Sequence, residues 1–180
     1  MYTTPTPPND FVVPPGLFLF IGPPGCGKSH LAVQLSANLD AAAVVSTDAL
    51  RALPEFGGDA ADQTSSTRVH ARAKLIAHQR LNSHLSVIYD TTGLNGTDRK
   101  SLAGFAKAAL MPATALLAVT RSDAELIARD ADPSRGRSVG PEVIAKFQPR
   151  HRAITVDALL AEGFDSVIVF DDNTRIRIAL

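Results

Sequence analysis

Short apolar runs alternate along the chain with segments in which apolar residues recur at helical spacing. The runs predict strands at residues 17–21, 43–46, 87–89, 115–120 and 167–170, and the first of them is expected to be buried on both faces of a sheet. Helical spacing occurs over 28–39, 67–85 and 97–109, and further helices are opened by a capping box at 122–125 and a proline at 141. This alternation predicts an α/β fold in which a five-stranded parallel sheet carries helices on both faces.

The chain is predicted to form one domain behind a short tail. Residues 1–15 are rich in Pro and Thr, which predicts a flexible N-terminal segment. Residues 16–180 contain no internal repeat and no second apolar core, so they predict a single domain. No apolar run approaches the roughly 18 residues of a membrane span, so we expect no membrane association. The only cysteine, Cys26, excludes an intrachain disulfide and suits the reducing cytoplasm.

The segment between the first strand and the first helix matches the phosphate-binding pattern G-x-x-x-x-G-K-[ST]. Its glycines let the backbone turn tightly, and the following helix adds its positive N-terminal end. Lys28 is placed to reach the β- and γ-phosphates of a nucleotide, and the hydroxyl of Ser29 to bind Mg²⁺. The pattern therefore predicts ATP or another nucleoside triphosphate, bound with Mg²⁺. The predicted nucleotide-binding residues of the loop are Gly22, Gly25, Cys26, Gly27, Lys28, Ser29 and His30.

A P-loop alone leaves several classes of protein open, among them GTPases, motors, transporters and kinases. No apolar strand ends in the Asp-x-x-Gly pattern of a GTPase, and no guanine-reading Asn-Lys-x-Asp is present. The chain of 180 residues is also short for a multidomain motor. A kinase is the class that the remaining motifs favour.

A second polar cluster, Ser46-Thr-Asp48-Ala-Leu-Arg51, follows the second predicted strand. Because the carboxyl ends of parallel strands meet at one edge of a sheet, Asp48 can face the γ-phosphate and accept the proton of an attacking hydroxyl. Arg51 lies one helical turn later and can hold an anionic group of the substrate. Asp48 is explained equally well as a helix N-cap, since a cap needs the same residue type at this place.

The third strand is followed by two further candidates. Asp90 is predicted to hold Mg²⁺ through water or to fix Ser29, and the alternative is a cap or turn residue. Arg99 is predicted to bind substrate if it faces the cleft, and it faces only solvent in the alternative reading.

Three arginines lie in a segment that also contains proline and glycine, at residues 129–137. Phosphoryl transfer needs positive charge over the migrating group, and it needs water to be excluded. We therefore predict an arginine-bearing lid, in which Arg129 and Arg135 act on the transferred phosphate and Arg137 binds the nucleotide. A solvated basic loop is the alternative.

The formal net charge is zero, but the positive charge is concentrated in the middle of the chain. Residues 66–152 hold 14 Lys or Arg against 7 Asp or Glu, whereas acidic residues predominate on either side. A basic segment of this kind is compatible with a polyanionic ligand. Solvated helix faces explain the same distribution.

Together these residues resemble the 5′-kinase of the polynucleotide kinase family, over residues 17–171. The kinase module of bacterial RNA-repair kinase–phosphatase proteins is most similar in pattern, and the phage polynucleotide kinases are more distant. The resemblance rests on the P-loop, the Ser-Thr-Asp-x-x-Arg segment, the Asp-Thr-Thr at 90–92 with Arg99, the lid arginines, and the segments at 139–144 and 160–164.

The resemblance implies an ATP-dependent 5′-hydroxyl polynucleotide kinase that acts in nucleic-acid repair. In that family the lysine and serine that match Lys28 and Ser29 bind the ATP phosphates and the metal. The aspartate that matches Asp48 is the general base for the 5′-hydroxyl, and the arginine that matches Arg51 grips the neighbouring phosphate. The family often has Asn where this chain has Gly93.

The sequence leaves the acceptor open, because related P-loop kinases share much of this layout. Among these are zeta-toxin-like kinases, chloramphenicol phosphotransferases and gluconate-type kinases. Arg51 and the basic middle favour an acceptor that already carries phosphate, such as the end of DNA or RNA. No aromatic platform for stacking bases is evident, since the chain has no Trp. A nucleotide-dependent switch that transfers nothing is a third hypothesis.

Overall fold

The computed structural model describes residues 9–37, 39–40, 43–59, 64–133 and 138–179. A five-stranded sheet lies at its centre, and every strand pair in it is parallel. The strands, numbered in chain order, lie in the spatial order β3 (Val44–Ser46), β4 (Val87–Asp90), β2 (Leu17–Ile21), β5 (Ala113–Ala118) and β6 (Ser166–Phe170). The predicted α/β fold is therefore confirmed.

The central strand β2 is buried on both faces, as its uninterrupted apolar sequence predicts. Leu17, Leu19 and Ile21 enter the core on one side of the sheet, and Phe18 and Phe20 enter the core on the other. None of the five is more than 1% exposed. Successive residues of a strand point to opposite faces, so a run without a polar position requires a layer of helices on each side.

Helices supply both layers. One face packs against α3 (Ser66–Asn82), α4 (Gly96–Ala108) and α7 (Val156–Ala161). The other face packs against α1 (Lys28–Ser36), α5 (Asp123–Asp130) and α6 (Pro141–Arg152). Within the described ranges, no helix is both long and apolar enough to cross a membrane.

The helix starts follow the capping signals of the sequence, with one difference. The side chain of Ser122 accepts a hydrogen bond from the N–H of Glu125 and so opens α5. Pro141 occupies the first turn of α6. Helical spacing begins at Thr97 in the sequence, but the side chain of Asn95 caps α4. It accepts from the N–H of Thr97 at 3.0 Å, and the helix begins at Gly96.

A two-stranded parallel sheet lies outside the main one and corrects the expectation of a tail over residues 1–15. It pairs β1 (Asn9–Val13) with β7 (Thr174–Ile178) along their whole length. Val13, Ile176 and Ile178 are buried in the same apolar cluster as the inner face of α1. Residues 9–13 are thus held by backbone pairing, and Val13 also by burial, so the prediction of a flexible tail is wrong for them.

The carboxyl ends of three strands meet at one edge of the main sheet. Ser46 pairs with Asp90 in the register of β3 and β4, and Leu19 pairs with Tyr89 in the register of β2 and β4. The segments that follow these strands therefore lie side by side, and one of them is the short helix α2 (Thr47–Arg51). In open α/β sheets this edge is where ligands bind.

Candidate active site

The loop at residues 22–27 connects β2 to α1, and its shape depends on glycine. Gly25 and Gly27 have φ angles of 80° and 104°, in the left-handed region that glycine adopts without strain. The N–H of Gly22 donates to the carbonyl of Thr92 at 2.9 Å, which ties the loop to the end of β4. Helix α1 begins directly after the loop, at Lys28. The positive end of its dipole is therefore placed at the loop, as a phosphate site requires.

The ammonium group of Lys28 lies against the loop itself. It donates to the carbonyl oxygen of Gly22 at 3.0 Å and to that of Pro23 at 2.9 Å. To bind the β- and γ-phosphates, this ammonium must exchange the two carbonyls for phosphate oxygens. We expect this exchange to be favourable, because a hydrogen bond between two charged groups is stronger than one to a neutral carbonyl.

Close packing holds the loop from outside the cleft. A Cβ added at Gly22 would lie 2.7 Å from the Sγ of Cys26, and one added at Gly25 would lie 2.9 Å from the carbonyl oxygen of Leu126 on α5. Cys26 is only 1% exposed. Neither Gly22 nor Cys26 lines the cleft, and their predicted contacts with the nucleotide stay predictions.

A cleft of about 1200 Å³ brings most of the predicted site residues together. Its lining includes Gly25, Gly27, Lys28, Ser29, His30, Asp48, Arg51, Asp90 and Arg129. The side chain of Asp48 is 59% exposed there, whereas that of Arg51 is 4% exposed. Oδ1 of Asp48 accepts a hydrogen bond from Arg51 at 2.6 Å, so the arginine orients the carboxylate.

The helix that carries Asp48 is capped by another residue. The hydroxyl of Ser46 accepts the N–H of Ala49, which is the N-cap contact of α2. The alternative reading of Asp48 as an N-cap is therefore wrong. Its carboxylate lines the cleft from the second residue of α2, where it can serve chemistry.

Asp90 ends β4 in the depth of the same cleft. Burial raises the pKa of its carboxyl group, the ammonium of Lys28 opposes that shift, and the carboxylate of Asp48 adds to it. A carboxylate in this setting gains from a cation that compensates its charge. Ser29 offers a hydroxyl oxygen in the same lining, and Mg²⁺ prefers oxygen ligands. The residues present thus fit a magnesium ion that is shared with nucleotide phosphates.

Several residues that sequence reasoning missed also line the cleft. They are His70, Thr91, Thr92, Lys146 and Phe147. Burial lowers the pKa of His70, which the carboxylate of Asp98 opposes and the charges of Arg51 and Lys74 reinforce. The two threonines follow a strand end, which is a usable signal. His70 and the α6 residues carry no local signal, because their helices reach the cleft only through tertiary packing.

Arg99 is hydrogen-bonded to other residues of the chain, and its predicted role in substrate binding stays a prediction. Its side chain is buried, and its Nε and Nη2 donate to the carboxylate of Glu162 at 2.7 and 2.6 Å. Its Nη1 donates to the carbonyl of Gly93 at 2.8 Å. The guanidinium therefore holds the loop after β4 against the segment that follows α7. The sequence places a cation near the sheet edge but does not show where its donors point.

We expect the variant Arg99→Ala to unfold more easily rather than to lose substrate affinity selectively. Removal of one partner from a nearly buried ion pair leaves Glu162 uncompensated, which typically costs about 3–5 kcal/mol. The matched control is Arg152→Ala, because the pair of Arg152 with Asp123 is about half exposed and such pairs contribute roughly 0–1 kcal/mol. Urea denaturation of both variants gives the comparison, and equal losses of stability would contradict the structural role of Arg99.

Position 93 requires glycine because of its backbone conformation and because a neighbouring group lies very close to it. Its φ is 62°, and a Cβ there would lie 2.3 Å from the carbonyl oxygen of Phe20. This explains why glycine stands where the resembling family often has Asn. This chain lacks the polar contact that an Asn side chain would supply at this position. In its place, the loop after β4 approaches strand β2 closely.

The variant Gly93→Ala is expected to lose about 2 kcal/mol or more of unfolding free energy, from backbone strain and from the clash. Gly104→Ala is a matched control within α4, since nothing lies within 4 Å of the added Cβ. That change should raise stability by roughly 0.5–1 kcal/mol, as alanine is favoured in a helix. Thermal or urea unfolding measures both, and a neutral result for Gly93→Ala would show that the loop tolerates a side chain.

Of the predicted lid arginines, Arg129 is described, and it projects from α5. Its Nη1 donates to Asp172 at 3.0 Å, and this contact holds the pKa of Asp172 below its ordinary value. Arg129 lines the cleft, so its predicted action on the phosphates stays a prediction that requires it to leave Asp172. Arg135 and Arg137 lie outside the described residues.

Asp130 anchors the far side of the lid segment. It is 1% exposed, and its Oδ2 accepts hydrogen bonds from the hydroxyl of Ser138 at 2.7 Å and from the backbone N–H groups of Val139 and Gly140 at 2.8 and 3.0 Å. A buried carboxylate that accepts backbone donors fixes their positions firmly. The end of α5 is therefore tied directly to the residues that precede α6.

The sequence of the chain matches a known family model over most of its length. Residues 17–154 match the AAA_33 model, which describes an AAA domain. No curated protein matches the chain at a significant level.

Solved structures support the same fold. A proposed kinase from Chloroflexus aurantiacus superposes with a TM-score of 0.55 at 20% identity, and the match covers 87% of this chain and 88% of that one. The PezAT toxin–antitoxin system of Streptococcus pneumoniae contains a chain that superposes with a TM-score of 0.65 at 12% identity, covering 91% of this chain and 69% of that one.

Proposed function

The chain belongs to the AAA domain family, here a family of P-loop kinases, and we propose that it transfers the γ-phosphate of ATP to a hydroxyl group. The observation that carries this proposal is the exposed carboxylate of Asp48 in the cleft of Lys28 and Ser29. Asp48 accepts the proton of the attacking hydroxyl, and Lys28 stabilises the negative charge on the transferred group. Arg51 holds Asp48 in place and offers positive charge to the acceptor.

Magnesium is part of this proposal. The described residues contain no cluster of three or more His, Cys, Asp or Glu side chains that could hold a metal. Mg²⁺ in kinases is bound largely by phosphates and water, with one or two protein oxygens. Ser29 and Asp90 fit that need, and the bound ion would neutralise charge on the phosphates. The ion is then expected to bind with the nucleotide rather than before it.

The first candidate acceptor is the 5′-hydroxyl end of DNA or RNA, as in nucleic-acid repair. Arg51 supports it, because a guanidinium beside the base can hold the phosphate next to the attacking hydroxyl. The basic segment at residues 66–152 gives only weak support to this acceptor, although its net charge is positive. Several of its cations pair with acids from outside that segment, among them Arg80 with Asp40 and Arg99 with Glu162.

The second candidate acceptor is a small molecule, and one observation favours it. A separate cavity of about 500 Å³ opens beside the phosphate cleft and shares His70, Thr92 and Phe147 with it. Ligand pockets for small molecules typically measure about 300–1,000 Å³. The cavity is therefore large enough for a sugar or a nucleoside and too small for several nucleotides.

Transfer of labelled γ-phosphate from ATP, in the presence of Mg²⁺, tests the first candidate. The acceptors are DNA and RNA oligonucleotides with a 5′-hydroxyl, and the matched controls are the same oligonucleotides already phosphorylated at the 5′ end. Label on the 5′-hydroxyl forms alone would support this candidate. Transfer to small hydroxyl compounds but to neither nucleic acid would reject it in favour of the second. ADP release that no acceptor accelerates would instead support a nucleotide-dependent switch.

A further inference from the structure

The second cavity lies on the acceptor side of the phosphate cleft. One wall is a single face of α3, on which the lining residues recur at helical spacing. They are Thr67, His70, Ala71 and Lys74. The opposite wall comes from the loop after β4 and the first turns of α4, and Phe147 and Arg150 of α6 close the top. A hydroxyl presented from this cavity toward the cleft passes His70 and Thr92, which line both spaces.

The floor of the cavity is apolar and rigid. It is formed by Leu19 and Tyr89 from two adjacent strands, with Leu94 and Leu102 beside them. Leu19, Tyr89 and Leu102 are at most 2% exposed. An apolar floor beneath polar walls suits a ring that carries hydroxyl groups, because an apolar face of the ring can lie toward the floor while its hydroxyl groups meet the walls.

The charges of the walls are largely compensated within the protein. Lys74 pairs with Asp98 at 2.9 Å, and Arg99 pairs with Glu162 at 2.6 Å. Arg150 is exposed to solvent and donates to the carbonyl of Leu94 at 3.3 Å. Neutral groups are also available to a ligand, notably the hydroxyls of Thr91 and Thr92 and the NH2 group of Asn95, whose amide oxygen caps α4. Such walls suit hydroxyl and amide groups better than a chain of phosphates.

We propose that this cavity is the acceptor site and that it takes a neutral, polyhydroxylated molecule of nucleoside or monosaccharide size. The proposal rests on the kinase function stated above and names the acceptor class for the same reaction. The ring lies on the floor of Leu19, Tyr89 and Leu102, and the hydroxyl to be phosphorylated points through the shared opening to Asp48. ATP then gives its γ-phosphate to that hydroxyl as the hydroxyl proton passes to Asp48, and ADP leaves.

The test blocks the cavity with a large side chain, which is introduced at an exposed position of the cavity wall. Ala71 is exposed on the wall formed by α3, so Ala71→Trp places an indole in the cavity without disturbing the core. Arg72→Trp is the matched control, since Arg72 is the next residue on the same helix, is exposed and lines neither space. Thr67→Trp, also exposed on the α3 wall, is the second blocking variant. Circular dichroism melting confirms that each variant is folded.

The probes are thymidine, adenosine, glucose and galactose. Ligand-observed NMR measures their binding, and ADP release in the presence of ATP measures transfer. We expect wild type to bind at least one probe, the two blocking variants to weaken that binding by about tenfold or more, and Arg72→Trp to bind like wild type.

Three results are decisive. Binding of a probe that Ala71→Trp and Thr67→Trp leave unchanged, or no binding of any probe to wild type, would overturn the acceptor site. Probe binding that both variants abolish, without probe-dependent ADP release in wild type, would overturn the kinase function and leave the binding site standing. Binding and release that are both lost in the blocking variants support the site and the function together.

Discussion

The variant Asp48→Asn is expected to bind ATP as wild type does and to transfer phosphate about 10²- to 10⁴-fold more slowly. The amide keeps the size of the carboxylate and can still accept the hydrogen bond that Arg51 donates at 2.6 Å. What it loses is the ability to take a proton from the attacking hydroxyl. A fluorescent ATP analogue measures nucleotide affinity, and labelled transfer at saturating acceptor measures turnover.

Glu55→Gln is a suitable control for this prediction. Glu55 is also an acidic residue close to α2 in the chain, but it is exposed and lies outside the cleft. Its loss of charge should leave both nucleotide affinity and turnover at the wild-type level. Full turnover by Asp48→Asn would remove the general base from the proposed mechanism, and weaker ATP binding with unchanged turnover would assign Asp48 to the nucleotide instead.

The main sheet was predictable because its central strands β4, β2 and β5 are buried on both faces. A continuous apolar run such as residues 17–21 has few other stable arrangements in a chain of this composition. The outer pair was not predictable in the same way. Strand β7 reads Thr-Arg-Ile-Arg-Ile, which is the alternation of a strand buried on one face, and its partner β1 is separated from it by almost the whole chain. Local pattern does not carry information about such a distant partner.

The residues of the candidate site likewise fall into those that the sequence predicts and those that it does not. The P-loop and Asp48 follow strand ends, and parallel strands bring their ends together by topology alone. Arg99 shows the limit of that argument. A cation beside the sheet edge has the same sequence context whether it meets a ligand or an acid, and Glu162 lies 63 positions away along the chain. His70 and Phe147 enter the site because helices pack over the edge, which only the three-dimensional structure reveals.

Replacement of Lys28 by Met is expected to slow transfer by about 10²- to 10³-fold, because the ammonium is placed to meet charge that develops on the transferred phosphate. Weaker ATP binding should accompany the slower transfer. The matched control is Lys107→Met on α4, since Lys107 is exposed and lines neither space.

Lys28 also holds the loop itself, through the carbonyls of Gly22 and Pro23. Circular dichroism melting of Lys28→Met therefore has to be compared with wild type before its kinetics are interpreted. If the melting temperatures agree and transfer falls, the ammonium acts on the nucleotide. If Lys28→Met transfers phosphate like wild type, the contacts to the loop are its whole role, and the charge that stabilises the reaction must come from Arg129 once it leaves Asp172.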